Sequence, residues 1–401
     1  MPRRSSRDLV LLRYGLAVLF ILAAGAALRI VAAGAAQACQ ICAQALAITP
    51  GQQLDAADQA VLAMPLPGDK RFRIVAVVKG RQVFKDQVVT NGIIAEEVLR
   101  VDAATPRTGK PLLLLRDKLV QRWSSMGSIG AEHGGWLRQL TATADAARGR
   151  PLASWPRPAQ TPFELTEIER RRRLALVLPY LEHPEPLAAD IAHGEVSRAP
   201  YTTLRSLKPQ LQAAKIATWI DDPRLAARRS TYTLLLGIAG GRDDATRLEH
   251  RIDAAVRSRD ATDLAAMLAA DLELRGPSRV DWIEQAYFTD RTRTLPEIES
   301  ALLALSVHGV ASAAVPRERV IEAYRLFIRE RKAMAGFVAQ QLADWECWDA
   351  TADYVALLQS DALQDASSHF AVVNYLQRSP RASAKAALQS MTDKTRIDLP
   401  R

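Results

Sequence analysis

"DDPRLAARRSTYTLLLGIAGG", residues 221–241, decides the fold class. Asp222 is a side-chain acceptor suited to a helix N-cap, and Pro223 occupies the favoured first position. Leu225, Arg229, Tyr232, Leu235, Leu236 and Ala239 recur at helical spacing, and Gly240 and Gly241 end the run. "RDDATRLEHRIDAAVRS" (242–258) follows at once, with Ala245, Leu248, Ile252, Ala255 and Val256 on one face. Two amphipathic helices joined by a glycine turn form a hairpin that cannot bury its apolar face alone. It needs stacked neighbours.

The neighbours are legible on both sides. "RTLPEIESALLALSVHG" (293–309) repeats the pattern of a proline near the start and a leucine-rich end, with Leu305 placed 69 residues after Leu236. That offset is close to two helical hairpins. No strand is expected between residue 166 and Pro380. This part of the chain resembles HEAT-type helical repeats, which implies an α-helical solenoid whose broad surface binds other proteins. The spacing predicts equivalent inward positions for Leu234 and Leu303, and for Leu236 and Leu305.

Upstream, the signals change. "TEIE" (166–169) is a capping box, in which Thr166 and Glu169 satisfy each other's amide donors. It opens a helix carrying Arg170–Arg173, read as a solvated face. "GRPLASWPRPAQTPFEL" (149–165) holds four prolines and reads as an extended linker. Before it lie "AVLAM" (60–64), "RFRIVAVVKG" (71–80), "QVFKDQVVT" (82–90) and "PLLLLRD" (111–117), short β-prone runs bounded by turn residues. The expected fold is therefore α+β and mainly α. A small β-rich domain over 39–147 precedes a linker over 148–165, a helical domain over 166–390 and a tail over 391–401. With 48% hydrophobic residues the chain can build a sizeable core, and 6% aromatics favour helices over sandwiches.

Residues 1–38 read as a targeting segment. Arg3, Arg4, Arg7 and Arg13 form a basic start, Tyr14–Leu28 is apolar, and Ala36 and Ala38 are small residues at the −3 and −1 positions of a cleavage site before Cys39. An uncleaved membrane anchor is the alternative. The chain is +9 overall; five Arg and one Asp in 1–38 leave +5 for the rest. That mild excess is a weak argument for nucleic acid, which is not expected as a partner. Export, to a periplasmic or extracellular location, puts Cys39 and Cys42 in an oxidising compartment. Ala43 after Cys42 excludes a c-type haem site. A local disulfide, a lipidated Cys39 that would attach the chain to a membrane, and a redox or metal role for the pair stay open. Together with the β-prone runs, this cysteine-bearing stretch resembles the OB-type barrel of netrin-like, metalloproteinase-inhibitor-like domains over residues 39–117. That family pairs its N-terminal cysteines with others along the barrel, whereas this chain has none between Cys42 and Cys347, so no inhibitory role follows.

Chemical motifs are sparse. "RWSSMGSIGAEHGGWLRQL" (122–140) reads as a glycine-rich loop. It lacks the Lys-Ser/Thr of a phosphate-binding loop, and Glu132 and His133 are its polar pair to test. "YLEHPEPLAADIAHGE" (180–195) holds Glu182, His183, Glu185, Asp190, His193 and Glu195. Pro184 and Pro186 interrupt helical pairing across it, and it reads as a polar loop without a ligand set. Cys347, between Trp345 and Trp348, reads as a packing thiol. No cofactor or metal is expected, and nothing local calls for an enzyme. The expected function is an exported, non-catalytic scaffold whose helical surface docks a partner protein. The alternative is a thiol-redox or metal-handling protein acting through Cys39 and Cys42.

Overall fold

A computed structural model describes residue 41 and residues 48–66, 71–81, 83–90, 109–117, 122–147, 165–310, 313–360, 362–363 and 365–397. The described chain divides into two compact units. One is Ile48–Glu169 with Tyr180–Ile191; the other is Arg170–Pro179 with Ile41 and the chain from Ala192 onward.

The first unit opens with helix α1 (Pro50–Ala56), started by a capping box in which Gln52 N donates to Thr49 Oγ1 and Thr49 N donates to Gln52 Oε1. Five strands follow: β1 (Gln59–Pro65), β2 (Arg71–Lys79), β3 (Val88–Thr90), β4 (Leu112–Arg116) and β5 (Trp123–Ser128). They form one antiparallel sheet in the order β3-β2-β1-β4-β5. The central strands β1 and β4 read as unbroken apolar runs because both of their faces are covered. Val61, Ala63, Ile74, Leu112, Leu114 and Trp123 share one core. On the other side, helix α2 (Gly134–Ala147) starts against Leu62 and Ala76, with Gly134 leaving room for both side chains. Buried Lys79 ties the layers together, donating to the carbonyls of Leu54 and Asp55 and pairing with Asp145 on α2.

Two expectations are corrected in this unit. Only Val88–Thr90 of the 82–90 run is strand, because a turn precedes it. Asp86, in left-handed backbone at φ 66°, donates its N–H to Ile74 O, and Ile74 N donates to Gln87 O. The expected glycine-rich loop at 122–140 is instead β5, a 3₁₀ turn at Ala131–His133 and α2. β5 carries one extra residue against β4 between Leu112 and Leu114, and Gly127 at φ 121° supplies the backbone this bulge needs.

Two helices span the division between the units: α3 (Glu167–Val177), opened by the expected Thr166–Glu169 capping box, and α4 (Pro186–Ser197). The second unit continues with α5 (Tyr201–Ser206), α6 (Ala213–Asp221), α7 (Arg229–Ala239), α8 (Arg242–Ser258), α9 (Leu264–Arg275) and α10 (Arg279–Ile283). Then come α11 (Leu295–Ser306), α12 (Arg317–Glu330), α13 (Ala339–Asp344), α14 (Thr351–Gln359), α15 (Ala366–Arg378) and α16 (Ala382–Ile397). No strand follows β5 among the described residues. The fold is thus α+β and mainly α. α7, α9 and α11 pack side by side in one row, while α6 lies against α7 and α8 against α9. Asp222 caps a 3₁₀ segment, Pro223–Arg228, ahead of α7, so the α-helix begins six residues later than its cap signal suggests. Leu234, Leu236 and Leu305 are buried as expected, but Leu303 is half-buried, so the equivalence holds for only one of the two leucine pairs. α16 runs past residue 390, where the sequence suggests a tail.

Arg173 departs from the solvated face expected for Arg170–Arg173. It is buried, and its Nε and Nη2 each donate at 2.7 Å to the Glu195 carboxylate. Arg171 and Arg172 are exposed.

Candidate functional site

Two stretches that sequence spacing kept apart meet inside the first unit. One is Ile129–Trp136, where the chain leaves β5. Its Gly130 precedes the 3₁₀ turn, whose His133 N donates to Gly130 O. The other is Tyr180–Leu187, bent by Glu182 in left-handed backbone (φ 53°) and by Pro184 and Pro186 around the start of α4. The prolines that rule out helical pairing across this segment are what fold it back as a loop.

Rings lock the junction. Trp136 and Tyr180 stack at 4.0 Å between centroids, and the His133 ring meets Tyr180 at 5.6 Å and His183 at 5.2 Å, both edge-on. His133 is only 6% exposed. Its Nε2 is buried with no hydrogen-bond partner among the described residues and lies 3.7 Å from Glu132 Oε1. Ligand atoms of Glu132, His133 and Glu185 all fall within 4.8 Å of one another. Lys110 Nζ donates to the Glu185 carboxylate from the loop before β4. Glu185 N donates to His183 Nδ1, so the neutral His183 ring carries its proton on Nε2.

Of Glu132 and His133, the pair singled out on the sequence, His133 is buried in this junction and Glu132 is exposed beside it. The sequence gives no local signal for Glu185, 52 residues beyond His133. His183 stays beside His133, while Asp190, His193 and Glu195 lie elsewhere. Glu195 takes Arg173, His193 Nε2 lies 3.2 Å from Thr231 Oγ1, and Asp190 is exposed. Cys39 and Cys42 lie outside the described residues. Cys347 is a half-buried free thiol whose ionisation burial pushes up, in keeping with packing.

The second unit offers a different kind of feature. A depression of about 290 Å³ crosses the row of helices near the starts of α7, α9 and α11. Ser230, Thr262, Ala266, Pro296, Glu299 and Leu303 line it, together with Ile41 from the N-terminal segment. A larger basic depression is formed around Arg291, Arg329, Arg331 and Lys332, but Arg291 is taken by Glu330 and Arg331 by the carbonyls of Tyr287, Phe288 and Asp290. No described helix is long and apolar enough to cross a membrane.

No protein-family model matches this sequence, and no curated protein or solved structure shows significant similarity to it.

Proposed function

We propose that this chain is an exported, non-catalytic scaffold whose helical surface docks a partner protein. The observation that carries the reading is the depression to which α7, α9 and α11, three neighbours in one row, all contribute, with Ile41 also lining it. A row of helices presents its exposed side as one continuous surface, the usual binding face of repeat proteins. On this reading the second unit is a HEAT-like array whose hairpins are the closely packed α6–α7 and α8–α9, in place of the α7–α8 pair across Gly240–Gly241 that the sequence suggests. The first unit is a small β-domain of the OB-like kind, of which five antiparallel strands are the supporting feature. Export rests on the basic, apolar and small-residue order of residues 1–38.

Thr262 and Glu299 are exposed on the depression, so they can be changed without disturbing the core. Affinity capture from envelope extracts tests the proposal. The full chain should retain a specific partner, and Thr262→Trp with Glu299→Arg should release it. Arg247→Glu on the exposed side of α8 should not. Retention of the same partner by the groove variant would sink the assignment of this surface.

A further inference from the structure

We infer that Glu132, His133 and Glu185 bind a divalent transition-metal ion, with zinc the best fit. The inference starts from the imidazole. A buried ring nitrogen with no partner is uncommon, because burial without a hydrogen bond forfeits hydration with nothing in return. His133 Nε2 is such an atom; it stands 3.7 Å from the Glu132 carboxylate, and the imidazole shares a cluster no wider than 4.8 Å with ligand atoms of Glu132 and Glu185. One imidazole and two carboxylates form a mixed nitrogen–oxygen donor set. That set suits zinc and its first-row neighbours better than calcium, which takes six to eight oxygens.

The distances agree. Zinc bonds of about 2.0–2.2 Å at a tetrahedral angle put two ligand atoms roughly 3.4 Å apart. His133 Nε2 and Glu132 Oε1 stand at 3.7 Å, and all three ligand atoms lie within 4.8 Å. His133 is held by its ring contacts with Trp136, Tyr180 and His183, so the nitrogen is placed before a metal arrives. The Glu132 side chain is 72% exposed, so closing its carboxylate from 3.7 Å to bonding geometry takes only a small rotation. Three protein ligands leave the fourth position to water.

Two neighbours tune the site. Gly130 gives the Glu132 carboxylate its place, since a Cβ there would stand 2.2 Å from Oε1. The obstructed atom is the end of a flexible side chain, so Gly130→Ala should move the carboxylate without harming the fold. Lys110 competes with the metal, because its ammonium already neutralises Glu185. Removing that charge should strengthen binding.

The test is titration of the untagged full chain with zinc chloride, read by calorimetry and by metal content after dialysis. Cys39 and Cys42 are changed to Ser throughout to remove their thiols. One zinc per chain is expected, with cobalt substitution giving the visible bands of a nitrogen–oxygen site. Glu132→Gln, His133→Asn and Glu185→Gln should each weaken binding at least about tenfold, and Gly130→Ala by about tenfold, the range seen when a ligand's support is removed. Lys110→Met should tighten it. Because Glu132 is exposed, its variant separates ligand loss from misfolding. The zinc-dependent rise in melting temperature should vanish in it while the metal-free melting temperature stays put. Absence of binding in the folded chain, or unchanged affinity in Glu132→Gln and His133→Asn, would overturn the site. Unchanged affinity in Lys110→Met would remove Glu185 from it.

Discussion

A Cβ added to Gly237 would stand 2.6 Å from Ala270 Cα, so α7 and α9 meet backbone to backbone at that point. The absence of a side chain at 237 lets the two helices approach closely enough to bury Leu234, Leu235, Leu268 and Leu272 around the crossing. Gly237→Ala has nowhere to put its methyl group except by moving one helix. The expected cost is about 1–3 kcal/mol, the usual range for overpacking, despite alanine's better helix propensity. Urea denaturation of the variant checks it; a neutral or stabilising result would mean that the crossing is looser than described.

Leu236 is 4% exposed and Leu305 is fully buried, whereas Leu303 is only half-buried. Leu236→Ala and Leu305→Ala should each destabilise by about 2–5 kcal/mol, and Leu303→Ala by less. Arg171→Ala, at an exposed position where only a hydrogen bond to Ser206 is lost, should change stability by less than about 0.5 kcal/mol. Chemical denaturation of the four variants gives the order directly.

Asp271 is fully buried on α9, where Arg275 Nε donates to one carboxylate oxygen at 2.8 Å and Arg279 Nε to the other at 2.5 Å. Burial pushes this carboxyl up while Arg279 and Arg275 oppose the shift. Asp271→Ala removes the only fully buried partner of a half-buried Arg279 and an exposed Arg275, both of which keep Glu249, and should cost about 1–3 kcal/mol. Adding Arg279→Met, which removes one of them, should recover part of the loss, and a double-mutant cycle measures how much.

His308 is fully buried, with Nε2 2.9 Å from Ala269 O and Nδ1 3.9 Å from Glu273 Oε2. Burial holds the imidazole below its ordinary value of 6.5. The unfolded chain therefore takes up a proton near pH 6.5 that the folded chain resists. Stability contributed by this residue is complete above that pH and falls as the pH drops through it. His308→Gln should reduce the difference in urea midpoint between pH 7.5 and pH 5.5. An equal difference in both proteins would place the titrating group elsewhere.

The architecture was legible where the signal was local. The capping box at Thr166–Glu169, the glycine pair after Ala239 and the apolar periodicity of 229–258 all act within a turn or two of chain. Short-range hydrogen bonding and amphipathic spacing sufficed to assign helix there. The β-runs at 60–64 and 112–116 announced themselves because both faces of a central strand must be apolar. The glycine-rich stretch at 122–140 misled, since its glycines serve a bulge, a cap and a close helix start, none of which composition distinguishes from a loop.

The sequence by itself determined the class of the fold and the order of its β and helical parts. Only the tertiary structure decided which distant groups meet. Arg173 looked like one of four solvated arginines until Glu195 was brought beside it. Glu185 looked like one acid in a polar loop until the turn at Glu182–Pro186 carried it to His133. Such meetings depend on chain reversals between residues tens of positions apart, and they follow from the packing of whole elements. Periodicity reports which face of an element is buried; it carries no information about which other element will cover that face.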